Sequence, residues 1–192
     1  MSQVTLKVFA EADPGTLPTA EFRRKVMAIL TDSRGWPRAG IQFVEAPNER
    51  GSDLWIRLSP NSALKREGFD MMSCAWVSGK KSLINLERWL HGSDKSGLSV
   101  ENYRRYVINH ETGHLLGLRD NMTTSKDASA LAPVMVQHTL GTRGYRANNR
   151  PRDDEIASVV RLGVGRLVVA KSAAGGARKK RSRKKSQKKR KA

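Results

Sequence analysis

His110, Glu111 and His114 stand in the order H-E-T-G-H, and no other feature restricts what this chain can fold into as much. An α-helix turns by about 100° per residue, so side chains four apart stand nearly above one another. If residues 110–114 are helical, both imidazoles project from one face and can reach a single zinc ion at about 2.0–2.1 Å. Glu111, one residue from a ligand, is then placed as a general base for water activated at that ion. Two histidines do not complete such a site, which needs three protein ligands and one open position. Gly117 supplies a stop for the helix. Asp120 on the returning chain is the first choice for the third ligand, with His138 and Asp127 as the alternatives.

The stretch before the motif supports a helix there. Ser99 is a good N-cap, Glu101 falls in the first turn, and Tyr103, Val107, His110 and His114 recur at spacings of four, three and four. Upstream, Val4, Leu6 and Val8 alternate with polar residues as in a half-buried strand. Thr19 is expected to cap a helix through Leu30 whose apolar face is Phe22, Val26, Ile29 and Leu30. Residues 41–44 and 53–58 read as two more strands joined by a polar turn around Asn48 and Gly51, and residues 72–77 and 82–86 as a hairpin. Residues 92–97 read as a flexible linker. After the motif comes a long loop over 120–132, then Pro133-Val134-Met135. Pro151 is expected to open a last helix with Asp153, Asp154 and Glu155 in its first turn and Ile156, Val159 and Val160 inside, stopped at Gly163. Residues 167–169 read as a short added strand.

Charge divides the chain. Twelve of the 36 lysines and arginines lie from Lys171 onward, where there is no acid. The remaining 24 face 18 acidic residues, so residues 1–170 carry about +6 of the formal +18. We therefore expect a folded domain over 1–166 and a basic, disordered tail over 167–192. Residues 178–191 contain nothing apolar and repel themselves. Such a tail suits nuclear import, sequence-independent phosphate binding or simple solubilisation, and without aromatics it is not expected to stack on bases. With 38% hydrophobic residues, disorder of the whole chain is excluded. Cys74 is the single cysteine, so no disulfide closes within the chain. No apolar run approaches the roughly 18 residues of a membrane span, and the N-terminus lacks a signal-peptide core. These features lead to the expectation of an intracellular protein with no membrane partner, nuclear or nucleic-acid-associated if the host is eukaryotic or the protein viral.

Other chemistry is weaker. Gln137 and Tyr145 could hydrogen-bond a tetrahedral intermediate, but no spacing rule supports either. Cys74 sits in an apolar run without a basic neighbour, which argues against a nucleophile. Ser73 and Ser82 belong to no nucleophile motif.

His110-Glu111-x-x-His114-x-x-Gly117-x-x-Asp120, followed by Pro133-Val134-Met135, resembles the metzincin clan of zinc peptidases. That motif usually ends in His in the clan, with an Asp ending in snapalysin-like members, and Met135 matches the methionine of the turn underlying the metal. Within the clan, residues 84–92, 103–111 and 132–135, with Thr139-Leu140-Gly141, are similar to an uncharacterised family of actinobacterial, mostly secreted, metzincin-like proteins. The likeness covers about residues 50–165. The chain departs from that family in three ways. Asp120 stands where His is usual, only Cys74 remains of several cysteines (Tyr145 occupies one such position), and the export signal is missing. The last two departures agree with a reducing compartment, and the first substitutes a harder, charged ligand for an imidazole.

The resemblance implies an α+β, zincin-like fold: a twisted mixed sheet, an active-site helix, a Met-turn at Met135 and a C-terminal helix. It implies a zinc metalloendopeptidase acting on a protein or peptide substrate through zinc-activated water, with Glu111 as base and His110, His114 and Asp120 as ligands. An extended substrate would pair with the sheet's edge strand. The competing expectation is a catalytically weak zincin scaffold that accompanies nucleic acid through its basic tail.

Overall fold

The structure is a computed structural model that describes residues 3–163. The tail expected over 167–192 and the strand expected over 167–169 lie outside the described residues. The described residues form a mixed α/β unit around a five-stranded sheet in the order β2-β1-β3-β5-β4. The strands are β1 (Val4–Ala12), β2 (Ile41–Glu45), β3 (Leu54–Ser59), β4 (Cys74–Trp76) and β5 (Lys81–Asn85). Three pairings are parallel, and only the short edge strand β4 runs antiparallel, to β5.

Alternation decides which face of the sheet is dry. Leu6, Val8 and Ala10 of β1 are buried, and the register carries their face across to Leu54, Ile56 and Leu58 of β3 and Ile84 of β5. This face packs on α1 (Thr19–Leu30) and α4 (Val100–Leu115). Each large side chain buried there contributes about 1.5–3 kcal/mol, and the α1 residues in it are the expected Phe22, Val26, Ile29 and Leu30.

Several local expectations change. Thr19 does not cap α1: Pro18 holds the cap position, and the Thr19 hydroxyl instead bonds the backbone of Ala12 at the end of β1. The polar turn after β2 does not fold β2 onto β3. Both lie parallel to β1, β2 against residues 4–8 and β3 against residues 8–12. The 3-10 turn Glu49–Gly51, capped by Asn48, carries the chain across between them. The expected hairpin is present as β4 and β5. Two short helices were not foreseen, α2 (Asn61–Arg66) and α3 (Leu86–His91), the second capped by the Asn85 side chain accepting from the Arg88 N–H. Residues 92–97 are docked rather than loose. They contain the 3-10 turn Asp94–Ser96, Ser96 is fully buried, and the Ser93 hydroxyl donates to the Thr139 carbonyl at 3.0 Å. Pro151 lies one residue before the cap of α5 (Asp153–Leu162), a position held by Arg152. None of the helices in the described residues is long and apolar enough to cross a membrane.

Candidate metal centre

The motif helix α4 begins as its sequence predicts, with the Ser99 side chain accepting from the Asn102 N–H at 3.4 Å. From Tyr106 to Gly113 every residue is buried, so the helix runs through the middle of the unit with little of it facing water. It ends at Leu115. Gly117 takes a φ of 98°, and the Leu118 N–H returns to the Gly113 carbonyl at 2.9 Å, a left-handed stop that glycine adopts without a Cβ clash. The chain reverses there and brings Asp120 back over the helix.

His110 Nε2 lies 3.4 Å and His114 Nε2 3.5 Å from Asp120 Oδ1. Ligand atoms of these three residues all fall within 4.8 Å of one another, and among the described residues they form the cluster that could hold a metal ion. Both imidazoles are oriented from behind. His110 Nδ1 donates to the Val134 carbonyl at 2.9 Å, and His114 Nδ1 to the Leu118 carbonyl at 3.0 Å. With the protons on Nδ1, both Nε2 lone pairs point towards the same carboxylate oxygen. Asp120 Oδ1 and Glu111 Oε2 are buried without a hydrogen-bond partner, whereas buried polar atoms normally have one. Three converging lone-pair donors, one of them the orphaned Asp120 oxygen, together with the orphaned Glu111 oxygen fit a divalent cation, and the N,N,O donor set suits a borderline metal such as zinc.

Charge in the cluster is tightly balanced. Burial raises the Glu111 carboxyl above its ordinary value, and Asp120 adds to this while His110 and His114 oppose it. Burial would also raise Asp120, but the two imidazoles outweigh it and hold that carboxyl well below the usual range. Burial would lower His114, and Asp120 and then Glu111 outweigh it, so His114 is raised.

The other candidates sort cleanly. His138 is fully buried against Tyr106, with ring centroids 4.3 Å apart, and its Nδ1 donates to the Val136 carbonyl at 2.6 Å. Burial pushes it down to about 4, so it is a neutral core histidine outside the cluster. Asp127 is exposed and bonds Ser129. Gln137 donates from Nε2 to Asp120 Oδ2 at 3.1 Å, which orients the carboxylate instead of facing a substrate. Tyr145 pins residues 123 and 124 of the long loop. Cys74 is buried and its thiol is pushed up to about 12, by burial first and Glu111 second, which leaves it unreactive.

Met135 is buried with its sulfur against Gly113, inside the motif itself. The residue that sequence reasoning missed here is Glu155. It was placed in the first turn of α5 as a helix-dipole acid, yet it is buried and its carboxylate accepts from Val134 N at 3.0 Å, Met135 N at 2.9 Å and Arg152 N at 2.9 Å. Val134 in turn offers its carbonyl to His110. The bond from the Arg152 N–H to Glu155 is the return half of a capping box, but Arg152 is not a residue that signals such a box, and nothing local reveals that the same carboxylate also clamps a loop some twenty residues earlier.

None of the curated proteins matches the chain. Solved structures give distant likenesses. The archaemetzincin of Methanopyrus kandleri is 14% identical, with a TM-score of 0.47, over 83% of this chain and 95% of that one. The ECX AB5 holotoxin in its GM1-bound form is also 14% identical, with a TM-score of 0.46, over 83% and 79%. A family profile matches residues 14–157, well over half of the chain, and so the chain belongs to the family described as "Protein of unknown function (DUF3152)".

Proposed function

We propose that this chain is a zinc-dependent peptidase of the metzincin type. The observation that carries the reading is the convergence of His110 Nε2, His114 Nε2 and Asp120 Oδ1, with the buried, unpartnered Glu111 Oε2 next to them. His110, His114 and Asp120 would hold the ion, and Met135 would be the methionine of the turn that supports them. Held by these residues, a zinc ion would supply Lewis-acid polarisation of a carbonyl and a water whose pKa is lowered to about 7. Glu111 is the general base of the site, taking a proton at Oε2 and returning it to the leaving amine. The carbonyls of Val134 and Leu118 keep both imidazoles in the tautomer that leaves Nε2 free. Gln137 holds the Asp120 carboxylate at its second oxygen. The substrate is a protein or peptide in extended form. Strand β4 is the edge of the sheet and packs on α4, so an extended backbone added to its free edge would pass beside the metal ligands and be recognised through main-chain hydrogen bonds.

The test is cleavage of denatured casein by the full chain and by Glu111→Ala. Loss of cleavage in the variant is the expected result. Equal rates in the two would remove Glu111 from the chemistry.

A further inference from the structure

Away from the metal ligands, two cavities of about 510 and 620 Å³ meet at Arg34. The first lies along α1 and the N-terminal half of α4, and the second runs on past Arg38 to residues 148–154. Together they are lined by eight lysine or arginine side chains and four acids, a net +4. Residues 3–163 hold 23 basic and 18 acidic residues, a net +5, so almost all the excess charge of the folded unit is gathered on this one surface.

The arrangement within the groove leaves cations in surplus. Arg34, Arg105 and Arg150 all bond the single carboxylate of Asp32, at 3.0, 3.3 and 2.9 Å. The Arg34 side chain first, and Arg150 as well, hold Asp32 well below the usual carboxylate range, so one permanent negative charge fixes three guanidinium groups in place. Arg105 Nε is buried and has no partner. Arg24 and Lys25 line the first cavity on α1. Seven of the eight cations are arginine, whose planar fork matches phosphate oxygens. Asp32 immobilises three of them, and Arg38, Arg104 and Arg152 are each paired with one of the other three acids, Asp153, Glu101 and Asp154.

We propose that this groove binds the phosphate backbone of a nucleic acid. The folded unit then has a phosphate-contacting surface of its own, separate from the basic C-terminal segment and independent of the peptidase reading. Binding is sequence-independent, because the groove's recognition rests on arginine and lysine contacts to phosphate, which carry no sequence information.

The experiment is fluorescence anisotropy of a labelled short DNA duplex with the full chain across a salt series. Wild type should bind with a steep salt dependence. The double variant Arg24→Ser/Lys25→Ser, at two positions whose side chains hold nothing else together, should flatten the slope of log K against log salt by about 0.9 for each cation that contacts phosphate. Glu101→Gln, which removes an acid from the groove, should tighten binding. Absence of duplex binding, or a slope and affinity in Arg24→Ser/Lys25→Ser identical to wild type, would overturn the proposal. It would equally be overturned if the double variant lost binding to phosphatidylserine vesicles or to a poly-glutamate peptide while keeping that to DNA.

Discussion

Gly113 and Met135 fit together so closely that a Cβ at position 113 would lie 2.4 Å from the Met135 sulfur and 3.1 Å from Trp36 Cζ2. The second x-position of the H-E-x-x-H motif is thus tied sterically to a residue 22 positions later, and the absence of a side chain at 113 lets the Met135 turn seat against the motif helix.

Gly113→Ala should therefore destabilise the protein even though alanine is the better helix former by about 1 kcal/mol. Overpacking of this kind costs about 1–3 kcal/mol, because Met135 and Trp36 are both buried. In a Met135→Ala background the same change should cost much less. Urea unfolding of the two single variants and the double variant measures the coupling, and additive effects would show that the contact is not the cause.

Glu155→Gln keeps the shape but loses one carboxylate oxygen. Three backbone N–H groups share that carboxylate, so at least one is left poorly satisfied at a cost of about 1–3 kcal/mol. Because Val134 also orients His110, zinc affinity should fall together with the melting temperature. A variant that melts earlier but binds zinc as wild type would separate the clamp from the metal ligands.

Gln137→Ala should weaken zinc binding by about 10–100-fold, as loss of a ligand-orienting partner does. It should leave the unfolding midpoint of the zinc-stripped protein nearly unchanged, since Gln137 is partly exposed and bonds Asp120 alone through its side chain. Zinc competition titration and urea unfolding of the stripped protein give the two readings.

Asp32 supplies a pH dependence away from the metal. Its folded-state pKa lies below the unfolded value of about 3.9. The stability it contributes is therefore complete above about pH 4 and is lost as the pH falls through the folded value. Asp32→Asn should be less stable than wild type at pH 7 by about 2 kcal/mol, the scale of hydrogen bonds to charged partners. The gap should narrow as the pH drops below about 4. Unfolding midpoints measured from pH 7 to pH 2 check this, and a gap that stayed constant would assign the loss to something other than charge.

The parts of the site legible in the sequence are those set by local geometry. Helical periodicity put His110, Glu111 and His114 on one turn, Ser99 marked the start of α4, Gly117 marked its end, and the reversal made Asp120 the first choice for the third position. The first strand, α1 and the β4–β5 hairpin followed from period and turn residues. What sequence reading missed depends on contacts between distant segments. Thr19 bonds the end of β1 because the β1–α1 loop brings Ala12 beside it. Residues 92–97 look like a linker until Thr139 anchors Ser93. Glu155 reads as a helix-dipole acid until the fold places the Val134–Met135 backbone above it. Parallel pairing of β2 and β3 on opposite sides of β1 is likewise hidden, since a short polar link between two strands ordinarily signals a hairpin.

The most direct test of the account is the zinc content of the purified full chain, measured on wild type, Glu111→Ala and His110→Ala. We expect one zinc per chain in wild type and in Glu111→Ala, and its loss in His110→Ala. Wild-type protein that takes up no zinc, or a His110→Ala variant that retains it, would contradict the metal centre on which the proposed function rests.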